Sequence, residues 1–298
     1  MASRKSVRLT LLFWGLMVIT MLFRVSSARG ESVYTAEYNY KTKTLTVTNR
    51  QGSYVASLYM KGYSLNNQIA ADSSQTVIYF TTYYGDRGDY CYLYQYNIPT
   101  RQYSLLAKLP NGYFSYDVKE LYDGSLYLNG WNPSDNIAMF RYKLNDHSLQ
   151  KIADVGYVDR YRQKIIMDVT YVMGSFSPYP LSVYNTKTNK VTRIAKKCGG
   201  WSRAGQWVYF AKLNGSSRGP AYSYSIKKYS LTTKKIKTFL KKLNAFSVGR
   251  ITTSKIYYNI MQPLSGSQAY VCSLKGNGKK KISMLKYSQI LEQNRKGR

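Results

Sequence analysis

The sequence predicts an all-β fold: a beta-propeller of four-stranded antiparallel blades, six in number, with five as the alternative. Three observations predict it. A tyrosine-centred strand–turn–strand unit recurs at Tyr96, Tyr142, Tyr184, Tyr229 and, with the tyrosine replaced, Cys272, at spacings of 46, 42, 45 and 43 residues. A fixed period in that range marks a solenoid, a propeller or an array. Each unit is preceded by a further β-rich strand, and most of these follow a turn signal, which gives four short strands per repeat. The chain also holds 32 tyrosines and no long amphipathic helix, and aromatic and β-branched side chains suit a pleated surface.

Residues 1–28 stand apart from the repeats. Arg4, Lys5 and Arg8 precede an apolar run from Leu9 to Phe23, and Ser26, Ser27 and Ala28 supply small residues at the expected cleavage position. This is a secretory signal pattern, and it places the rest of the chain outside the cytoplasm, secreted or at the cell surface. The alternative is an uncleaved signal-anchor; the run is short against the ~20 residues that span a bilayer, although Arg24 can snorkel and lengthen it. Residues 29–298 then form a single domain. The strand-like stretch 33–60 lacks room for a full blade, and strands from the tail after Ile282 are expected to complete it and close the ring, leaving no free sheet edge. A short helix near Ser283–Gln293 is the one helical candidate. The second strands of the five clear repeats are expected at Val77–Thr81, Ser125–Asn129, Val169–Met173, Trp207–Ala211 and Lys255–Asn259.

The segments Ile78-Tyr-Phe-Thr81 and Val208-Tyr-Phe-Ala211, each followed by a Tyr-rich hairpin, give the chain a pattern that resembles bacterial propeller domains related to the YWTD repeats of low-density-lipoprotein receptors. The resemblance covers nearly all of the chain after the signal, as pattern only, and the YWTD tetrapeptide itself is absent. It implies the propeller fold and no particular activity.

Without residues 1–28 the chain carries 40 basic and 14 acidic residues, a net charge of +26. The lysines sit singly or in pairs between β-formers, as on the solvated face of strands. A basic exterior on an exported chain favours phosphate- or carboxylate-bearing surfaces, while export argues against nucleic acid. The expected partners are a surface glycan, an anionic polymer or another exported protein, with the membrane a partner only through an uncleaved signal segment. The hairpin turns at one end of the blades gather Arg101, Lys187, Lys190, Lys234, Lys235, Lys279, Lys280 and Lys281, either as an electrostatic footprint or as a plain charged surface.

Two further groups are candidates for binding. Loops joining the second and third strands of each blade emerge on one face, and loops on a rigid scaffold carry function. Here they hold Tyr83, Tyr84, Trp131, Phe176, Tyr179, Arg218 and Tyr222, an aromatic set suited to sugar rings or a partner protein unless the rings fold back over their blades. Inner strands line a propeller's channel, where Asp117, Arg160, Arg203 and Arg250 recur at 43, 43 and 47 residues. Arginines there suit a phosphate or carboxylate, although alignment on the following turns moves Arg203 into a turn.

No catalytic residue, metal site or cofactor is read from the sequence, and the expectation is a non-enzymatic binding protein, with a structural interaction scaffold in the envelope and a propeller-type hydrolase or lyase as the alternatives. A glycosidase needs two carboxylates set across a sugar, and Asp117, Asp159 and Asp168 show no such pairing. His147 is the single histidine and falls in a hairpin turn. No Gly-rich phosphate loop, nucleophile elbow or zinc spacing is present. Cys91, Cys198 and Cys272 fall in three different repeats without a C-x-x-C spacing and read as single buried thiols. Arg87-Gly-Asp89 reads as ordinary loop chemistry.

Overall fold

Alternating apolar and polar side chains, punctuated by Gly-, Asn- and Asp-bearing turns, fold the chain into antiparallel sheets that follow one another in sequence order. The computed structural model describes residues 34–39, 41–42, 44–49, 51–59, 64–65, 69–84, 90–132, 137–168, 179–215, 222–262 and 266–296; the expected signal segment lies outside them. The first sheet is three-stranded: β1 (Tyr34–Asn39), β2 (Thr44–Asn49) and β3 (Tyr54–Tyr59). Blade one has β4 (Ser64–Leu65) and β5 (Ala70–Ala71) both paired to β6 (Val77–Tyr84), then β7 (Tyr90–Asn97) and β8 (Gln102–Lys108). Blade two is β9 (Ser115–Tyr122), β10 (Ser125–Trp131), β11 (Ile137–Lys143) and β12 (Leu149–Ala153). Blade three has β13 (Gly156–Tyr161), β14 (Lys164–Asp168) and β15 (Tyr179–Asn185), and blade four has β17 (Trp207–Leu213), β18 (Tyr222–Ser230) and β19 (Ile236–Ala245). Blade five is β20 (Ser247–Ile251), β21 (Lys255–Gln262), β22 (Gly266–Ser273) and β23 (Lys280–Ile282).

Blades three and four are joined by one long strand, β16 (Lys190–Ala204). Its first half pairs with β15, from Asn185↔Lys190 to Tyr179↔Cys198, as the outer edge of blade three. Its second half pairs with β17, from Cys198↔Lys212 to Ala204↔Trp207, as the inner strand of blade four. Glycine is required at the crossover, because a Cβ on Gly200 would lie 2.0 Å from the Val248 carbonyl oxygen of blade five.

The repeat read from the sequence is architectural. Tyr96, Tyr142, Tyr184, Tyr229 and Cys272 are each at most 5 % exposed. Two residues after each of them, the backbone N–H donates across to the turn between the first two strands of the same blade. These bonds run from Ile98 to Thr76 (2.8 Å), Leu144 to Gly124 (3.0 Å), Thr186 to Gln163 (3.0 Å), Leu231 to Gln206 (2.9 Å) and Leu274 to Ser254 (3.1 Å). Both sets of short turns therefore lie at the same end of each blade. Five residues after the tyrosines the chain turns left-handed at Arg101, His147, Asn189 and Lys234, with φ between 52° and 60°. Two of these residues reach back to their tyrosine: the Tyr142 hydroxyl lies 2.8 Å from His147 Nδ1, and the Tyr184 hydroxyl donates to Asn189 Oδ1 at 2.6 Å.

Each pair of successive sheets shares a core. Leu45 and Val47 pack with Ile78 and Phe80, Leu93 with Val118 and Phe140, Met139 with Ile165 and Tyr184, Val183 with Trp201 and Phe210, and Ile226 with Val248 and Ile256. The expected single cysteines are buried thiols in these cores, and burial pushes Cys91 up to about 12.

Two expectations need correction. The second strand of blade three is β14 (Lys164–Asp168), paired to both neighbours, and Val169–Met173 lies outside the described residues. The tight turn at Arg162 and Gln163 returns the chain at once, so the ladder forms on the nearer segment. Among its described residues the tail after Ile282 supplies no strand; it forms α1 (Met284–Lys296), which lies against β20 and β22 with Tyr287 buried. Its unbranched and polar residues favour a helix over a ladder. Among the described residues, no strand pairing joins the three-stranded sheet to blade five.

Candidate functional site

The charged residues of the inner strands are placed by strand register. Glu120, Asp159, Ser202 and Arg250 occupy one equivalent position, opposite Tyr127, Ile166, Tyr209 and Tyr257. The next position holds Leu121, Arg160, Arg203 and Ile251. The proposed column of Asp117, Arg160, Arg203 and Arg250 is thus one column only at Arg160 and Arg203. Asp117 lies further along, opposite Asn129, and Arg250 falls one position earlier. The equivalent positions Glu120, Asp159, Ser202 and Arg250 are 39, 43 and 48 residues apart, so a nearly constant spacing in sequence does not pick out one column. Arg203 is in β16, not in a turn.

This register builds a repeated clasp between blades. Arg160 of blade three grips Glu120 of blade two, with Nε 2.8 Å from both carboxylate oxygens and Nη2 2.5 Å from Oε1. Arg203 of blade four grips Asp159 of blade three through Nε at 2.5 Å and Nη2 at 3.0 Å. Each guanidinium also lies over a tyrosine of the preceding blade, Arg160 at 3.9 Å from Tyr122 and Arg203 at 5.9 Å from Tyr161. At the next junction Ser202 takes the carboxylate's place and donates to the Ile251 carbonyl. Burial, with the Glu120 charge second, raises the Tyr157 hydroxyl well above its ordinary value, and that hydroxyl donates to Glu120. Asp117 accepts from the Trp131 indole at 3.1 Å and from Lys119 Nζ at 3.4 Å. Asp168, fully buried, accepts from the Trp201 indole. Glu120, Asp159 and Asp168 thus join neighbouring blades, while Asp117 is held within blade two.

The aromatic candidates sit on strand ends. Tyr83 and Tyr84 close β6, opposite Cys91 and Tyr90, and Trp131 closes β10. Tyr179 opens β15, and Tyr222 opens β18 with its ring 6.1 Å from Tyr224 and 6.2 Å from Phe246. Aromatic β-formers extend the ladders into what the sequence offered as loops. Phe176, Arg218 and Arg87–Asp89 lie outside the described residues.

Charge is distributed unevenly along the chain. Residues 169–298 contain 25 lysines and arginines against a single acidic residue, Glu292. In blade four, Lys228 and Lys237 stand directly opposite each other across β18 and β19. Lys228 Nζ lies 3.9 Å from the Trp207 ring and 5.6 Å from Phe239, Lys237 Nζ lies 5.7 Å from Phe239, and in blade five Lys279 Nζ lies 4.2 Å from Tyr270. At the short-turn end, burial and then the nearby Lys234 lower Lys164. Trp207, Lys228 and Phe239 were not among the sequence candidates. The scarcity of acids after Asp168 is legible in the sequence and could have marked this stretch, but the meeting of these side chains comes from strand pairing.

The sheets, their shared cores and the repeated clasp define a beta-propeller-like repeat protein. No family model and no curated protein matches the sequence. Similar solved structures include TolB from Acinetobacter baumannii, at 13% identity and a TM-score of 0.36, covering 83% of this chain and 62% of that one. They also include an oligogalacturonate lyase from Vibrio parahaemolyticus (9%, TM-score 0.46, 81% and 74%) and the beta-propeller domain of the Trilobed protease from Pyrococcus furiosus (11%, TM-score 0.41, 84% and 80%). The chain spans less than two thirds of the TolB chain. Among the described residues no helix is long and apolar enough to cross a membrane.

Proposed function

We propose that the protein is an exported, non-enzymatic propeller of six blades, the N-terminal sheet being one, that binds an anionic polymer at a cell surface. One observation carries this reading: the stretch from residue 169 onward has 25 basic residues and one acidic residue, and it builds the outer strands of blade three and all of blades four and five. A field of one sign on a rigid scaffold attracts and holds a polyanion. The carboxylates near the inner strands support the non-enzymatic reading, since Glu120 and Asp159 are held by arginines.

The test is retention of the purified chain on immobilised polyphosphate and polygalacturonate across a salt series. Binding should weaken steeply as salt rises, and no retention on either polymer at low salt overturns the reading. Salt-insensitive binding to a neutral glycan that is lost in Trp131→Ala would instead favour the strand-end aromatics. A second reading, a scaffold for another exported protein, is favoured by Tyr54 and Tyr59, which are 67% and 63% exposed on the edge strand β3. Co-purification from the native envelope, lost in a Tyr54→Ser/Tyr59→Ser variant, would support it.

A further inference from the structure

We infer that the seam between blades four and five is the specific subsite for the polymer, and that it recognises an acidic glycan, a sugar chain bearing carboxylates, by its rings and its charge together. This deepens the anionic-polymer reading and rests on it. Trp207, Phe239 and Tyr270 are half-buried and border the one core cluster that blades four and five share. The seam is close-packed, since the Leu240 side chain of β19 comes within 3.3 Å of a Cβ placed on Gly276 in the β22–β23 turn.

Over each of these rings lies a lysine ammonium: Lys228 at 3.9 Å from Trp207, Lys279 at 4.2 Å from Tyr270 and Lys237 at 5.7 Å from Phe239. Elsewhere in the molecule lysines find acids, as Lys143 does in Asp146 and Lys151 in Asp154. Among the described residues no carboxylate pairs with Lys228, Lys237 or Lys279, and the ring quadrupole stands in for a counter-ion. The direct cross-strand pairing of Lys228 with Lys237 sharpens the point. Like charges directly opposite on neighbouring strands are destabilising, and one anionic group between them would relieve both.

Aromatic side chains at the same place add what charge alone does not. Their flat apolar faces pack against the C–H face of a sugar ring while the ammonium groups take its carboxylate. A flexible polyanion without rings gains only the charge. The seam therefore distinguishes polygalacturonate from polyphosphate by ring contact.

The experiment uses the full exported chain and two charge-neutralising double variants, Lys228→Gln/Lys237→Gln and Lys241→Gln/Lys242→Gln. Lys241 and Lys242 are exposed residues of the same strand, β19. The first variant should lose at least about tenfold in affinity for polygalacturonate, more than a like-charge change elsewhere on a screened surface, while its melting temperature without ligand should be no lower than that of the wild type, since the opposed charges are removed. The second should lose about twofold at most on the same grounds. Polygalacturonate should shift tryptophan emission, the shift should vanish in Trp207→Phe, and polyphosphate should leave emission unchanged. Equal losses in the two double variants, or the same emission change with both polymers, overturn the subsite and leave general polyanion binding standing. Absence of binding to any polyanion at low salt overturns both.

Discussion

Lys234 turns left-handed with φ of 60°, a conformation in which an L side chain costs about 1–2 kcal/mol. Glycine removes that cost but adds freedom to the unfolded chain. Lys234→Gly should therefore stabilise by about 0.5–1 kcal/mol, raising the melting temperature by roughly 2 °C for a chain of this size. His147→Gly should gain nothing, because it also loses the contact with the Tyr142 hydroxyl, worth about 1 kcal/mol. Thermal melts of the two variants side by side check both. Asp72 offers a pH test. Burial alone would raise its carboxyl, but hydrogen bonds from Ser74, the Val77 and Thr76 backbone and the Thr76 hydroxyl outweigh it and hold the group below its ordinary value. A carboxyl lowered on folding contributes stability above its unfolded value of 3.8, and that contribution is lost as pH falls through the folded value. Denaturant midpoints measured against pH should fall less steeply below about pH 4 in Asp72→Asn than in the native chain.

The clasp between successive inner strands is the element that ties blade to blade. The Asp159–Arg203 pair is bidentate, with side chains only 13% and 19% exposed. Such partly buried pairs matter most when one partner is removed. Arg203→Met should cost about 2 kcal/mol, and a double-mutant cycle with Asp159→Asn should return a coupling of about 1–2 kcal/mol in urea unfolding. A coupling near zero would show the pair to be incidental. The contrast between Tyr184 and Arg250 shows what the sequence made legible. Tyr184 is one member of a column set by hairpins of nearly constant length, so its burial followed from the period. Arg250 was assigned to the arginine column by the same counting, but the equivalent positions Glu120, Asp159, Ser202 and Arg250 are 39, 43 and 48 residues apart, so an even count lands in different columns. Loop and strand lengths between blades vary without a residue signature of their own. A different limit applies to the second strand of blade three: the β-formers of Val169–Met173 drew the expectation away from β14 (Lys164–Asp168), which follows the turn at Arg162 and Gln163 directly.

At the scale of the whole molecule, the charge that suits a polyanion also strains the fold. Like charges repel in the compact state, and salt screens them within about 10 Å at 0.1 M. Raising sodium chloride from about 20 mM to about 300 mM should therefore raise the melting temperature by a few degrees, even as it weakens polymer binding. A fall across the same range would mean that local pairs such as Lys151–Asp154 outweigh the net field. The candidate seam was legible in part. The loss of acids after Asp168 is plain in the chain, but the meeting of Lys228 with Lys237 beside Trp207 depends on strand pairing and could not be counted out residue by residue.

Because β16 is a single backbone rung shared by two sheets, blades three and four cannot peel apart one at a time. Their amide protons should exchange with solvent as one cooperative block, with Ile194 on one side of the crossover and Trp201 on the other opening at a common rate. At the joints between β12 and β13 and between β19 and β20 no strand belongs to two sheets. Under mechanical load or partial unfolding the chain should yield at those joints first, releasing the paired blades intact.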